Sequence, residues 1–130
     1  MGAQKAEEIT VRAPNEVGTM GKVFGVIAKA GANVKSFVAW SEGNQGIFKL
    51  ITSDNAKIAG LMESEGFSVE RTAVVAVTCS DAIGAGADLG TKLGEAGISI
   101  DYAYATGTGG GEAVVVFSVD DVDKAAGALG

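Results

Sequence analysis

Two short polar loops hold the residues best suited to chemistry in this chain. Pro14-Asn15-Glu16-Val17-Gly18 and Ser80-Asp81-Ala82-Ile83-Gly84 each run straight into a segment with helical periodicity. A helix N-terminus presents unpaired N–H groups and the positive end of the helix dipole, so such loops favour a carboxylate. Asp81 and Asp101 could add an anionic partner for a cationic group. Asn15 and Asp81 are equally good helix N-caps, so plain capping and turn formation stand beside the binding reading.

Other chemistries fall away residue by residue. Histidine is absent, which removes Ser-His-Asp and Cys-His nucleophiles and any histidine-ligated metal. The lone Cys79 excludes an internal disulfide and reads as a small buried side chain at a strand end. Gly84-x-Gly86-x-x-x-Gly90 is a loose dinucleotide fingerprint, but it precedes a hairpin where a Rossmann unit needs a parallel strand. Gly107–Gly111 lacks the Lys-Ser/Thr of a phosphate loop and reads as a turn. Asp120, Asp121 and Asp123 lack calcium-loop spacing, and Asp120 or Asp121 reads as a helix cap. No carboxylate pair is placed for acid–base work, so no enzyme, metal or cofactor is expected.

The elements that must position the loops come in two copies, 66 residues apart. Val11 matches Val77, Val17 matches Ile83, Gly18 matches Gly84, and Ala30-Gly31 matches Ala96-Gly97; later the offset becomes 67, pairing Lys57 with Lys124. A repeat of this length is a small domain. In copy one, alternation over residues 8–13 predicts a strand, and Met20, Val23, Phe24, Ile27 and Ala30 predict a helix stopped by Gly31. Residues 33–41 and 47–52 predict two strands around a turn at Gly43-Asn44. Asp54 is expected to cap a second helix ended by Gly66, and residues 67–71 a last strand. Copy two repeats this order over residues 73–79, 84–96, 98–106 and 113–119 and ends in a helix, without a fourth strand of its own. Gly84, Gly86 and Gly90 are expected to weaken its first helix by about 1 kcal/mol each where they lie in its interior.

Two split β-α-β units with helices on one face of an antiparallel sheet make a tandem ferredoxin-like α+β architecture, with units at residues 8–71 and 73–130. The missing strand leaves an open sheet edge, to be covered by residues 67–71 or by another chain, and a homodimer is expected on that ground. The side chains are 47% hydrophobic and the net charge is −6, so a core can form and a nucleic-acid backbone is repelled. No apolar run approaches membrane-spanning length, and residues 1–8 lack the order of a secretory signal, so a cytoplasmic protein is expected.

The strand, the polar loop ending in glycine, the helix ending in Ala-Gly, and the next strand opened by Asn33-Val34-Lys35 or Ser99-Ile100-Asp101 together resemble the ACT domain family. The resemblance covers nearly the whole chain and is similar to small free-standing tandem ACT proteins. It implies a regulatory domain that binds an amino acid, usually where two ACT units pack side by side, and signals to an enzyme or partner. It implies a ligand set of Asn15, Glu16, Val17 and Gly18 with Asn33 and Val34, and of Asp81, Ala82, Ile83 and Gly84 with Ser99, Ile100 and Asp101. The second-strand residues would then approach the ligand from the neighbouring unit. ACT loops commonly carry proline before the helix-starting glycine, where this chain has Val17 and Ile83. Loss of that proline removes some pre-organisation and keeps open an assembly module without ligand, with a nucleotide-binding protein more distant.

Overall fold

The computed structural model of the protein describes residues 2–106 and 111–130. Its elements run β1 (Gly2–Pro14), α1 (Thr19–Lys29), β2 (Val34–Glu42), β3 (Gln45–Thr52), α2 (Asn55–Ser64), β4 (Ser68–Ser80), α3 (Ala85–Glu95), β5 (Ile100–Thr106), β6 (Glu112–Val119) and α4 (Val122–Leu129). The glycine-rich turn expected at Gly107–Gly111 lies, up to residue 110, outside the described residues. The chain divides into a first unit, Glu7–Thr72, and a second made of Met1–Ala6 with Ala73–Gly130.

In the first unit the strand order is β2-β3-β1-β4, with β1–β3 and β2–β3 antiparallel. Alternation decides which side chains go inward. Ile9, Val11 and Ala13 of β1 and Phe48 and Leu50 of β3 meet Val23 and Ile27 of α1 and Ile58 and Met62 of α2 in one buried cluster, so both helices cover the same sheet face. Phe24 of α1 packs edge-on against Phe37 at 4.9 Å and Phe48 at 6.4 Å between ring centres, a geometry that suits the ring quadrupoles. On the other face Glu8 is wholly buried, with its carboxylate 3.9 Å from Lys49 Nζ, which donates to Thr10 Oγ1 at 3.0 Å. Nothing in the alternation of β1 announced this ion pair.

The second unit has the order β1-β4-β6-β5, with β4–β6 and β5–β6 antiparallel. Val75, Val77 and Cys79 of β4, Leu89 and Leu93 of α3, Phe117 and Val119 of β6, and Ala125 and Leu129 of α4 form its core, which bears out the reading of Cys79 as a small buried residue. Among the described residues α4 is the last element of this unit. The edge is closed by residues 2–6, which belong to this unit: Ala3 packs against its core, and Lys5 Nζ donates to Asp123 Oδ1 of α4 at 2.7 Å. This corrects the expectation that residues 67–71 or another chain covers that edge. An edge strand is held by backbone groups, which the small and polar residues 2–6 supply as well as any others. The homodimer therefore loses its original ground.

Two expected strands, residues 67–71 and 73–79, are one 13-residue strand, β4. The helix ends follow a common device. Gly31, Gly66 and Gly97 adopt φ of 75°, 86° and 72°, and the N–H groups at and after each glycine donate back to the last turn, as in Gly31 N to Ala28 O and Ala32 N to Ile27 O. This is the Schellman motif, which only glycine enters without strain.

Candidate ligand-binding loops

Among the described residues the helix N-termini are of two kinds. Asp54 caps α2 by accepting from Lys57 N, and Asp121 caps α4 by accepting from Lys124 N, as expected from their types and places. Helices α1 and α3 have no side-chain cap; their N-cap residues are Gly18 and Gly84 in the left-handed conformation, at φ 89° and 84°. Asn15 and Asp81 therefore do not cap. Gly84 stands where glycine is favoured, which removes it from the residues expected to weaken α3; Gly86 and Gly90 remain inside the helix.

The polar loops are instead tied down by backbone. Asn15 N donates to Asn44 O at 2.9 Å and Asp81 N to Gly111 O at 2.7 Å, anchoring each loop to the hairpin beside it. Thr19 N bonds Glu16 O and Ala85 N bonds Ala82 O, and the first intrahelical bonds are Lys22 N to Gly18 O and Asp88 N to Gly84 O. Among the described residues, the N–H groups of Met20 and Gly21 and those of Gly86 and Ala87 take no backbone acceptor. Two donors are thus left open at each of the two termini that the sequence marked for a carboxylate.

A hollow lies beside each terminus. In the first unit Asn15, Glu16, Gly18, Met20, Trp40 and Phe48 line about 270 Å³. In the second, Cys79, Ser80, Ala82, Ile83, Gly84 and Asp88 line about 360 Å³. Met20, Phe48 and Asp88 were not expected here, and Trp40 reads from the sequence first as a packing residue, with ligand stacking the lesser reading. Their signal is the place of Trp40 and Phe48 near the hairpin that the Asn15 loop touches, and of Asp88 one turn into α3. Val17 and Ile83, which replace the family's proline, project fully into solvent. A larger concavity of the first unit, about 710 Å³, lies elsewhere, between α1 and α2.

The second-strand residues are not brought to these loops within a unit. Asn33 N donates to Ser53 Oγ and Asn33 O accepts from Ser53 N, both at 2.9 Å, while Val34 opens β2 opposite Thr52. Ser99 N donates to Asp120 Oδ1 at 3.1 Å and Ser99 O accepts from Asp120 N. From Val34 to Glu42 the strand rises roughly 26 Å, so no single amino acid touches both ends. Each strand also carries a bulge, between Val34 and Ser36 and between Ile100 and Tyr102, which sets Lys35 and Asp101 out of register. Ile100 and Asp101 are exposed.

A Rossmann arrangement is absent from this geometry, because the strands after α3 form the antiparallel β5–β6 hairpin, and β6 pairs antiparallel with β4. No helix among the described residues is long and apolar enough to cross a membrane. What remains is a pair of ferredoxin-like α+β units, each with an uncapped helix N-terminus behind a glycine-ended polar loop. A family model described as an ACT domain pair matches residues 5–129, and the chain belongs to that family.

Solved structures agree. Protein BT0572 from Bacteroides thetaiotaomicron is similar at 28% identity and a TM-score of 0.89, over 98% of this chain and 88% of that one. The regulatory subunit of aspartate kinase from Thermus thermophilus, in a ligand-free form, shares the fold at 14% identity and a TM-score of 0.72, over 99% and 95% of the two chains. The aspartokinase alpha and beta subunits share it at 19% identity and a TM-score of 0.68, over 99% and 95%. No curated protein matches the chain.

Proposed function

We propose that the protein is a non-catalytic regulatory module that binds an amino acid at the loop–helix junctions and passes the signal to a partner protein. The observation that carries this reading is the division of the N-termini: α2 and α4 are closed by aspartates, whereas α1 and α3 keep open donors behind polar loops. The first unit is the better carboxylate site. The first turn of α1 carries no acidic residue, whereas the second unit has Asp88 in the first turn of α3. The acidic second junction, with Asp81 and Asp88, suits an ammonium group, and Asn33 and Val34, or Ser99, Ile100 and Asp101, would complete a site from another ACT-like unit. Self-association, an enzyme as the regulated partner and a cytoplasmic location belong to the same proposal. A module that assembles without ligand is the second reading, favoured by the exposed Val17 and Ile83 in place of rigid prolines.

A thermal-shift screen against the twenty amino acids and a few nucleotides, with hits confirmed by calorimetry, tests it. Ligand at 100 times its dissociation constant adds about 2.7 kcal/mol, several degrees in the midpoint. The expected result is one selective amino acid whose effect is lost in Asn15→Ala or Asp81→Ala. Silence across the panel in a folded protein moves the reading to the assembly module, and a nucleotide hit overturns both.

A further inference from the structure

The groove between α1 and α2 belongs to the first unit. Gly21, Lys22, Gly25, Val26 and Lys29 of α1 face Lys57 and Leu61 of α2 and Glu65 just after it across the groove. Space above Gly21 and Gly25 is open, so another backbone can come close. Val26 is half-buried and Leu61 is among the exposed large apolar side chains, giving the groove an apolar floor. Lys57 is committed, donating to Ala30 O at 3.1 Å at the end of α1. Lys22 lies 5.4 Å over the Phe67 ring, and Lys29 is exposed. Three lysines against the one carboxylate of Glu65 leave the rim net basic on a protein of net charge −6, which favours an acidic occupant.

The chain carries one that fits. At the positions of α3 matching Lys22 and Lys29 stand Asp88 and Glu95, both exposed, with the half-buried Lys92 between them and Ala87 and Thr91 matching Gly21 and Gly25. Both charged pairs are seven residues apart, two helical turns, so each spans about 10.5 Å along its axis. Laid antiparallel, the orientation the helix dipoles favour, Lys22 meets Glu95 and Lys29 meets Asp88. We propose that the α1–α2 groove of one copy receives the exposed face of α3 of a second copy, a contact between unlike faces of the same chain. Such a contact either closes into a ring or propagates. Exposed ion pairs each contribute little, so association is weak, concentration-dependent and weakened by salt, with the charges choosing the partner and the small residues allowing approach. This goes beyond the ligand reading, with which it shares only Asp88, and sedimentation without ligand tests it separately.

Sedimentation of the full chain at low and high salt, with paired charge reversals, is the test. Wild type is expected to gain mass with concentration at low salt and to lose it at high salt. Lys22→Glu with Lys29→Glu, and separately Asp88→Lys with Glu95→Lys, are each expected to sediment as monomers, and an equal mixture of the two variants to associate again. Should a reversed variant fail to fold by circular dichroism, Lys22→Gln with Lys29→Gln reads the same loss. A wild-type protein that stays monomeric at low salt overturns the proposal, as do reversed variants that associate alone as wild type does or a mixture that stays monomeric.

Discussion

The two units repeat one backbone plan nearly bond for bond and fill it with different side chains. Asn15 N to Asn44 O has its counterpart in Asp81 N to Gly111 O, Ser53 N to Asn33 O in Asp120 N to Ser99 O, and Ala30 N to Val26 O in Ala96 N to Lys92 O. The fillings diverge. The first unit holds four of the five phenylalanines, whereas the core of the second is built from valine, leucine, isoleucine and alanine around Phe117. Seven basic side chains stand against eight acidic ones in the first unit, net −1, and three against eight in the second, net −5. Lys22, Lys29 and Lys35 become Asp88, Glu95 and Asp101 at the matching places. A few obligatory positions, the left-handed glycines and the capping aspartates, therefore hold the plan, which leaves volume and charge free to make one half unlike the other.

The comparison breaks most sharply at residues 2–6. A chain starting at Glu7 strips the second unit of its fourth strand and leaves the first unit whole, so the second is expected to lose on the order of 3 kcal/mol, through several ladder bonds worth about 1 kcal/mol net each. Native-state hydrogen exchange should rise in β4–β6 and stay unchanged in β2–β3; equal loss in both would refute the assignment of this segment. Matched core truncations come next. Ile27→Ala and Leu93→Ala remove side chains that are equivalent in the repeat and almost wholly buried, and each is expected to cost 2–5 kcal/mol, roughly, by denaturant unfolding. A Leu93→Ala cost well below that range would mean that the smaller core collapses around the gap.

The smallest effect concerns Lys5. Its hydrogen bond to Asp123, with their attraction, raises the Lys5 pKa above 10.5. The folded-state value is the higher one, so the contribution of the pair is complete below 10.5 and fades as pH climbs through the raised value. The melting difference between wild type and Lys5→Met should accordingly vanish in strongly alkaline solution. A difference independent of pH would assign the effect to packing of the lysine stem.

Much of this was legible beforehand because the signals were local. Asp54 and Asp121 stand directly before apolar helical stripes, Gly31, Gly66 and Gly97 directly after them, and Gly43-Asn44 sits between two strand-forming runs. The turn bears this out: Gly43 takes φ 57°, the sign that the first place of a type II′ turn needs. The candidate loops were legible as places but not as contacts. Asn15 and Asp81 looked like caps, and only the folded backbone shows Gly18 and Gly84 in that role. Trp40 and Phe48 reach the first hollow through strand pairing, which brings the hairpin to residue 15 from some thirty residues away.

The sequence by itself determined the repeat, the order of the elements, which face of each is apolar, and where the helices stop, since each follows from side-chain type at short spacing. Tertiary structure alone decided that residues 2–6 complete the second unit, that β4 runs unbroken through Thr72, and that Lys35 and Asp101 sit on bulges. Those outcomes rest on backbone N–H and C=O groups finding partners far along the chain, and such groups are the same in every residue but proline.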